Sequence, residues 1–124
     1  MSRPILSEDR IHPAVLARVH DRFAETVREV IGAVDRHPIV VVGMAQNPHC
    51  RKARKHLEAA GKNFEYLEYG SYLKGWRQRT AIKMWSGWQS FPMVFVGGVM
   101  VGGASDLQAL IDEGGLEKLV AAAG

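Results

Sequence analysis

The sequence has a single cysteine, Cys50. No intrachain disulfide can form, and a zinc site built from several thiolates is excluded. Any thiol chemistry is therefore intermolecular, and such usage suits a reducing compartment, so a cytoplasmic protein is expected. Long hydrophobic runs are also missing. No stretch approaches the ~20 apolar residues of a membrane span. The first fifteen residues carry Arg3, Glu8, Asp9 and Arg10 without an apolar run, so neither a signal peptide nor a membrane partner is expected. Metal-ligand spacing is lacking too: His12, His20, His37 and His56 are scattered, and His49, Cys50 and His56 alone cannot complete a structural zinc site. There is no repeat and no low-complexity segment.

What remains is a chain of 124 residues, 47% apolar and 23% charged, which excludes disorder and predicts one folded domain. A chain of this size buries roughly two thirds of its unfolded surface, so it needs no staple. Charge is unevenly spread. Residues 1–50 are balanced, residues 51–83 hold nine basic against three acidic side chains, and residues 84–124 are net acidic. The middle third thus favours an anion. A nucleic acid and a small carboxylate-bearing ligand both satisfy that. The three tryptophans read as core and groove wall rather than as a base-stacking platform, so no nucleic-acid partner is expected.

Apolar residues at helical spacing from Ile11 to Val34 predict one long helix over 8–35, alone or preceded by a turn, with Pro13 in its first turn and Pro38 as its stop. The run 38–44 is β-branched without alternation, as in a strand buried on both faces. Asn47 and Pro48 then fit the cap and first position of a helix reaching Ala60, with Gly61 beyond its end. A strand follows at 64–69 and a helix at 71–86, ended by Gly87. Strands at 93–96 and 99–101 flank a Gly97-Gly98 turn. A last helix, capped by Ser105 or Asp106, leads to a short helical piece at 115–122 and a frayed end at 121–124. The order is α-β-α-β-α-β-β-α, a four-stranded mixed α/β sheet between helices, with one parallel crossover and one hairpin.

Four features in this order resemble the glutaredoxin family of the thioredoxin-like fold over residues 38–120. Asn47-Pro48-His49-Cys50 stands where the family has Cys-Pro-Xaa-Cys at a strand-to-helix junction. Residues 88–96, from Trp88 through Phe91-Pro92 to Val96, are similar to the stretch that holds the family's cis proline. Residues 102–107, Gly-Gly-Ala-Ser-Asp-Leu, are similar to its Gly-Gly-Cys-(Asp/Ser)-Asp-Leu. Arg79 lies nine residues before Trp88, where the monothiol branch carries a glutathione-binding arginine. The long first helix and the Trp-Xaa-Ser-Phe-Pro pattern also lean toward that branch. The chain then divides into an N-terminal helical extension, 1–37, packed on a glutaredoxin-like domain, 38–124.

The resemblance implies a glutathione groove. Its lining is Asn47, Pro48 and His49, Arg79, the Phe91-Pro92 backbone, and Gly103, Ala104, Ser105 and Asp106. Arg79 and the start of the last helix would hold the two carboxylate ends of glutathione. Phe91 would offer its main chain to an extended peptide. Alternatively, Pro92 is a plain edge-strand proline and Arg79 forms a surface ion pair. The family's nucleophile is the first cysteine of the motif, and here that residue is Asn47. Cys50 is left as the one candidate catalytic thiol, with His49 as a neighbouring base. Cys50, Ala53, Leu57 and Ala60 make an apolar stripe, which turns the thiol inward. Desolvation raises a buried thiol's pKa by more than a helix start lowers it. Full burial would make Cys50 inert, and partial exposure would leave it reactive. Two functions are therefore expected from the resemblance. One is a glutathione-dependent thiol–disulfide oxidoreductase acting on a protein thiol or disulfide through Cys50. The other is a degenerate member that binds glutathione or a partner peptide without turnover. A shared [2Fe–2S] cluster is not expected, because the family's ligand is the missing first cysteine.

Overall fold

The computed structural model describes residues 2–123. Four strands, β1 (Ile39–Gly43), β2 (Glu65–Glu68), β3 (Met93–Val96) and β4 (Val99–Gly102), form one sheet in the order β2-β1-β3-β4. β1 runs parallel to β2 and antiparallel to β3, and β3 and β4 form the hairpin. All five β1 residues are buried, which is why the strand shows no alternation. Helices cover both faces: α2 (Ala24–Arg36) and α4 (Trp76–Ser86) pack together on one, and α3 (Pro48–Ala59) meets α5 (Ala104–Asp112) on the other. Val30, Val40, Val42, Ile82, Met93 and Phe95 fill the first core layer; Val41, Leu57, Val94, Val96, Leu107 and Leu116 fill the second.

The single helix expected over 8–35 is instead a short 3-10 turn at Glu8–Arg10, then α1 (Pro13–Asp21), then α2. His12 caps α1 by accepting the Ala14 N–H, and Pro13 takes the first position. The chain breaks at Phe23, whose φ of 51° lies in the left-handed region. Apolar spacing runs unbroken across this point because Val19, Phe23 and Val27 keep a four-residue step. The break lets α2 bury Thr26, Val30 and Ala33 while α1 buries nothing.

Helix α4 begins at Trp76, five residues later than its apolar spacing suggests. Gly70 and Gly75 both have positive φ and approach so closely that a Cβ on Gly70 would collide with the Lys74 carbonyl and with the Gly75 Cα at 2.7 Å. Residues 70–75 therefore fold into a tight loop, closed by the Ser71 N–H on the Lys74 carbonyl at 2.8 Å. Gly87 (φ 79°) ends α4 as expected. α6 (Gly115–Ala123) completes the fold, and Gly124 lies outside the described residues. No helix among the described residues is long and apolar enough to cross a membrane.

Candidate functional site

Sheet register brings the sequence-predicted site together at one end of the sheet. Gly43, the last residue of β1, sits beside Glu68, and Val42 beside Met93. Gly102 pairs with Val94. The loop after β1, the loop after β2, the Phe91–Pro92 peptide and the start of α5 thus converge.

Asn47 is the cap of α3. Its Oδ1 accepts the N–H groups of His49 at 2.9 Å and Cys50 at 3.0 Å. Its Nδ2 faces the Tyr72 hydroxyl at 3.4 Å, a distant contact between partly exposed groups. Both helix-start donors are thereby taken by Asn47, so the α3 start offers a ligand no spare N–H behind its cap. His49 points to solvent, as does Pro48.

Cys50 has 0% exposure. Its sulfur lies against the end of β1: a Cβ on Gly43 would come within 2.9 Å of Sγ and 3.0 Å of the Tyr66 ring. Burial pushes the thiol pKa up; a hydrogen bond from the Met44 backbone and the Arg54 charge oppose this, and the Glu68 charge adds to it. Cys50, the expected catalytic thiol, thus sits in the fully buried of the two environments weighed from sequence, with burial the largest influence on its pKa; an attacking thiolate needs both charge and access.

Arg54, Tyr66 and Glu68 form a group beside this thiol that the sequence did not single out. The Arg54 guanidinium stacks 4.2 Å from the Tyr66 ring centroid, and the Tyr66 hydroxyl donates to Glu68 at 3.0 Å. Burial first, and the Glu68 carboxylate second, push Tyr66 ionisation up. No single residue signals this group, since its members come from α3 and β2 and meet only through the parallel pairing.

Arg79 does not form the surface ion pair weighed for it: it is 8% exposed and in no ion pair among the described residues. Its Nη1 donates to the carbonyls of Tyr69 at 2.9 Å and Lys74 at 3.0 Å. The guanidinium therefore ties down the tight loop before α4. The Tyr69 hydroxyl donates to Glu29 of α2 from the same buried neighbourhood.

The Phe91–Pro92 peptide is cis, and both residues are buried. Phe91 belongs to the same core cluster as Met44 and Cys50. The Pro92 carbonyl lies 3.6 Å from where a Gly103 Cβ would stand, so these two predicted elements are in contact. Gly103, rather than Ser105 or Asp106, caps α5. The Asp106 carboxylate reaches back and accepts the Gly103 N–H at 2.9 Å. That bond leaves the N–H groups of Ala104 and Ser105 in the orphan first turn, without a partner among the described residues. Ser105 is exposed beside them.

The donor set does not fit a [2Fe–2S] cluster. The position that would supply its thiolate holds an amide whose oxygen is committed to the helix start, and the one thiol is buried.

Comparison with known proteins places this geometry. A family profile described as Glutaredoxin matches residues 39–101. A glutaredoxin-like protein of Dictyostelium discoideum is 42% identical over 98 residues, covering 79% of this chain and 80% of its own. The crystal structure of oxidized glutaredoxin 2 from Chlamydomonas reinhardtii superposes with a TM-score of 0.69 at 32% identity, over 82% of this chain and 96% of that one. A buckwheat glutaredoxin–glutathione complex gives a TM-score of 0.72 at 21% identity, over 84% and 94% of the two chains.

Proposed function

The chain belongs to the glutaredoxin family, a family of thiol–disulfide oxidoreductases, and from that membership we propose that it binds glutathione, or a peptide with the same backbone, without disulfide turnover. The observation that carries this reading is the occupied α3 start. Asn47 sits where the nucleophile would be, and its amide oxygen takes the two N–H groups that would otherwise stabilise a thiolate. Behind it, Cys50 is buried and disfavours ionisation.

The binding half of the reading is supported by the α5 start. Ala104 and Ser105 offer N–H groups at the positive end of a nine-residue helix, where a carboxylate is favoured. Asp106 is held by Gly103 close by and would receive a ligand ammonium. A γ-glutamyl end carries both groups. The buckwheat relative was solved with glutathione bound, which supports the ligand class. Arg79 Nη1 is engaged by the protein's own carbonyls, so the reading does not rest on that side chain.

Reduction of a glutathione mixed disulfide is measured with wild type and Cys50→Ser, and calorimetry follows glutathione binding. Equal background rates are expected, together with saturable binding that weakens at least ~5-fold in Ser105→Asp, which keeps a good helix start but repels a carboxylate. A wild-type rate above background that vanishes in Cys50→Ser would establish the single-thiol enzyme instead.

A further inference from the structure

On the sheet face covered by α2 and α4, the N-terminal helices and α4 leave an open groove of ≈ 950 Å³. Val15 and Val19 from α1, Val27 and Ile31 from α2, and Met84 and Trp85 from α4 line it. Val19 is 48% exposed and Met84 68%, so the apolar surface is open to solvent. α1 has an apolar face but no fully buried residue, and Val15 on that face is 41% exposed.

The rim is basic. Arg18, Arg22, Arg28 and Arg77 border the groove, and none of them is ion-paired among the described residues. The Arg77 guanidinium lies 5.1 Å from the ring of Trp76, itself 58% exposed. Glu8 is the one acidic residue lining the groove, and its carboxylate is paired with His20 at 2.9 Å.

The shape favours a helix. Val15 and Val19, Val27 and Ile31, and Ala81 and Trp85 are each four residues apart on their helices. Three walls thus present four-step ridges, which accept the matching ridge of another helix. α1 is about 14 Å long, room for two to three turns of a guest. An apolar floor under unpaired arginines calls for an apolar stripe flanked by carboxylates. We propose that this groove docks an acidic amphipathic helix of a partner protein. This proposal is independent of glutathione binding.

The probe is a fluorescein-labelled peptide of about 14 residues with leucine at i, i+3, i+4 and i+7 and glutamate elsewhere. Its control carries lysine in place of glutamate. Expected are saturable anisotropy with the acidic peptide, affinity falling with salt, and at least ~10-fold weaker binding of the lysine version. Trp76→Ala should weaken binding roughly 30-fold, and Arg28→Glu with Arg77→Glu should reverse the preference between the peptides. These side chains are exposed, so circular dichroism should be unchanged. The proposal is overturned by no binding, by equal affinity for both peptides, or by indifference to all variants. It is equally overturned if wild type sediments as a dimer that Met84→Asp dissociates, because a second copy then fills the groove. Binding to phosphatidylserine vesicles in preference to the peptide would assign the groove to a membrane surface and also overturn it.

Discussion

Cys50 should be nearly unreactive in the folded protein, and the size of its protection follows from what must open. The sulfur is fully buried on the first turn of α3, behind the Asn47 cap and against the end of β1. A reagent reaches it only when that turn lifts away. Lifting loses the Asn47 cap, about 1 kcal/mol, and re-exposes a buried apolar side chain, about 1.5–3 kcal/mol. The sum, roughly 3 kcal/mol at 1.36 per decade, corresponds to at least ~100-fold protection before the raised thiol pKa is counted. The assay is labelling by an aromatic disulfide reagent, followed by absorbance, on native protein and in denaturant at the same pH. Asn47→Ala should relabel roughly 5-fold faster than wild type, since it removes the cap and leaves the sulfur in place. Native labelling as fast as in denaturant would refute the reasoning, because the thiol would then be open and chargeable.

Further outcomes follow from the same contacts. Asn47→Cys puts a thiol on the donors that now serve the amide, so glutathione-dependent reduction of a mixed disulfide should rise at least ~10-fold above wild type, the helix start lowering that thiol's pKa by at most ~1.5 units; unchanged background in a folded variant would show that the groove cannot seat the substrate disulfide. Arg79→Ala leaves the Tyr69 and Lys74 carbonyls without their donor and should cost about 1–3 kcal/mol in urea unfolding, with Arg79→Lys losing less; no loss would mean the loop is held by other bonds. The raised Cys50 pKa gives stability that is full below the unfolded thiol's value, about 8.5, and is lost as pH rises from there toward the folded value. The stability of wild type relative to Cys50→Ala should therefore fall above about pH 8.5, and a difference that stays flat across that window would contradict the burial.

Much of the fold could be read from residues whose role is local. Pro48 at the first helical position, the missing alternation in β1, and glycines at 61, 87, 97 and 98 with positive φ each match one element boundary. The misreadings share a cause: the deciding contact was long-range. Phe23 keeps helical spacing, and only packing of α2 on the sheet reveals the break. Residues 71–75 keep helical composition, yet Gly70 and Gly75 must close against each other under Arg79. At the site, the motif positions of Asn47, Pro92 and Gly103 were legible, and the sheet places Pro92 and Gly103 in contact. The use of Arg79 was not, because spacing to Trp88 says nothing about which acceptors its donors meet. Asn47 itself was legible as a cap, but whether any N–H stayed free behind it depended on both His49 and Cys50 reaching one oxygen.

Occupancy of the α5 start by glutathione is measured most directly by titrating ¹⁵N-labelled protein with the tripeptide and following its amide resonances. Saturable shifts centred on the Ala104 and Ser105 amides are predicted, with the His49 and Cys50 amides still held by Asn47. Absence of saturable movement at Ala104 and Ser105 would contradict the account.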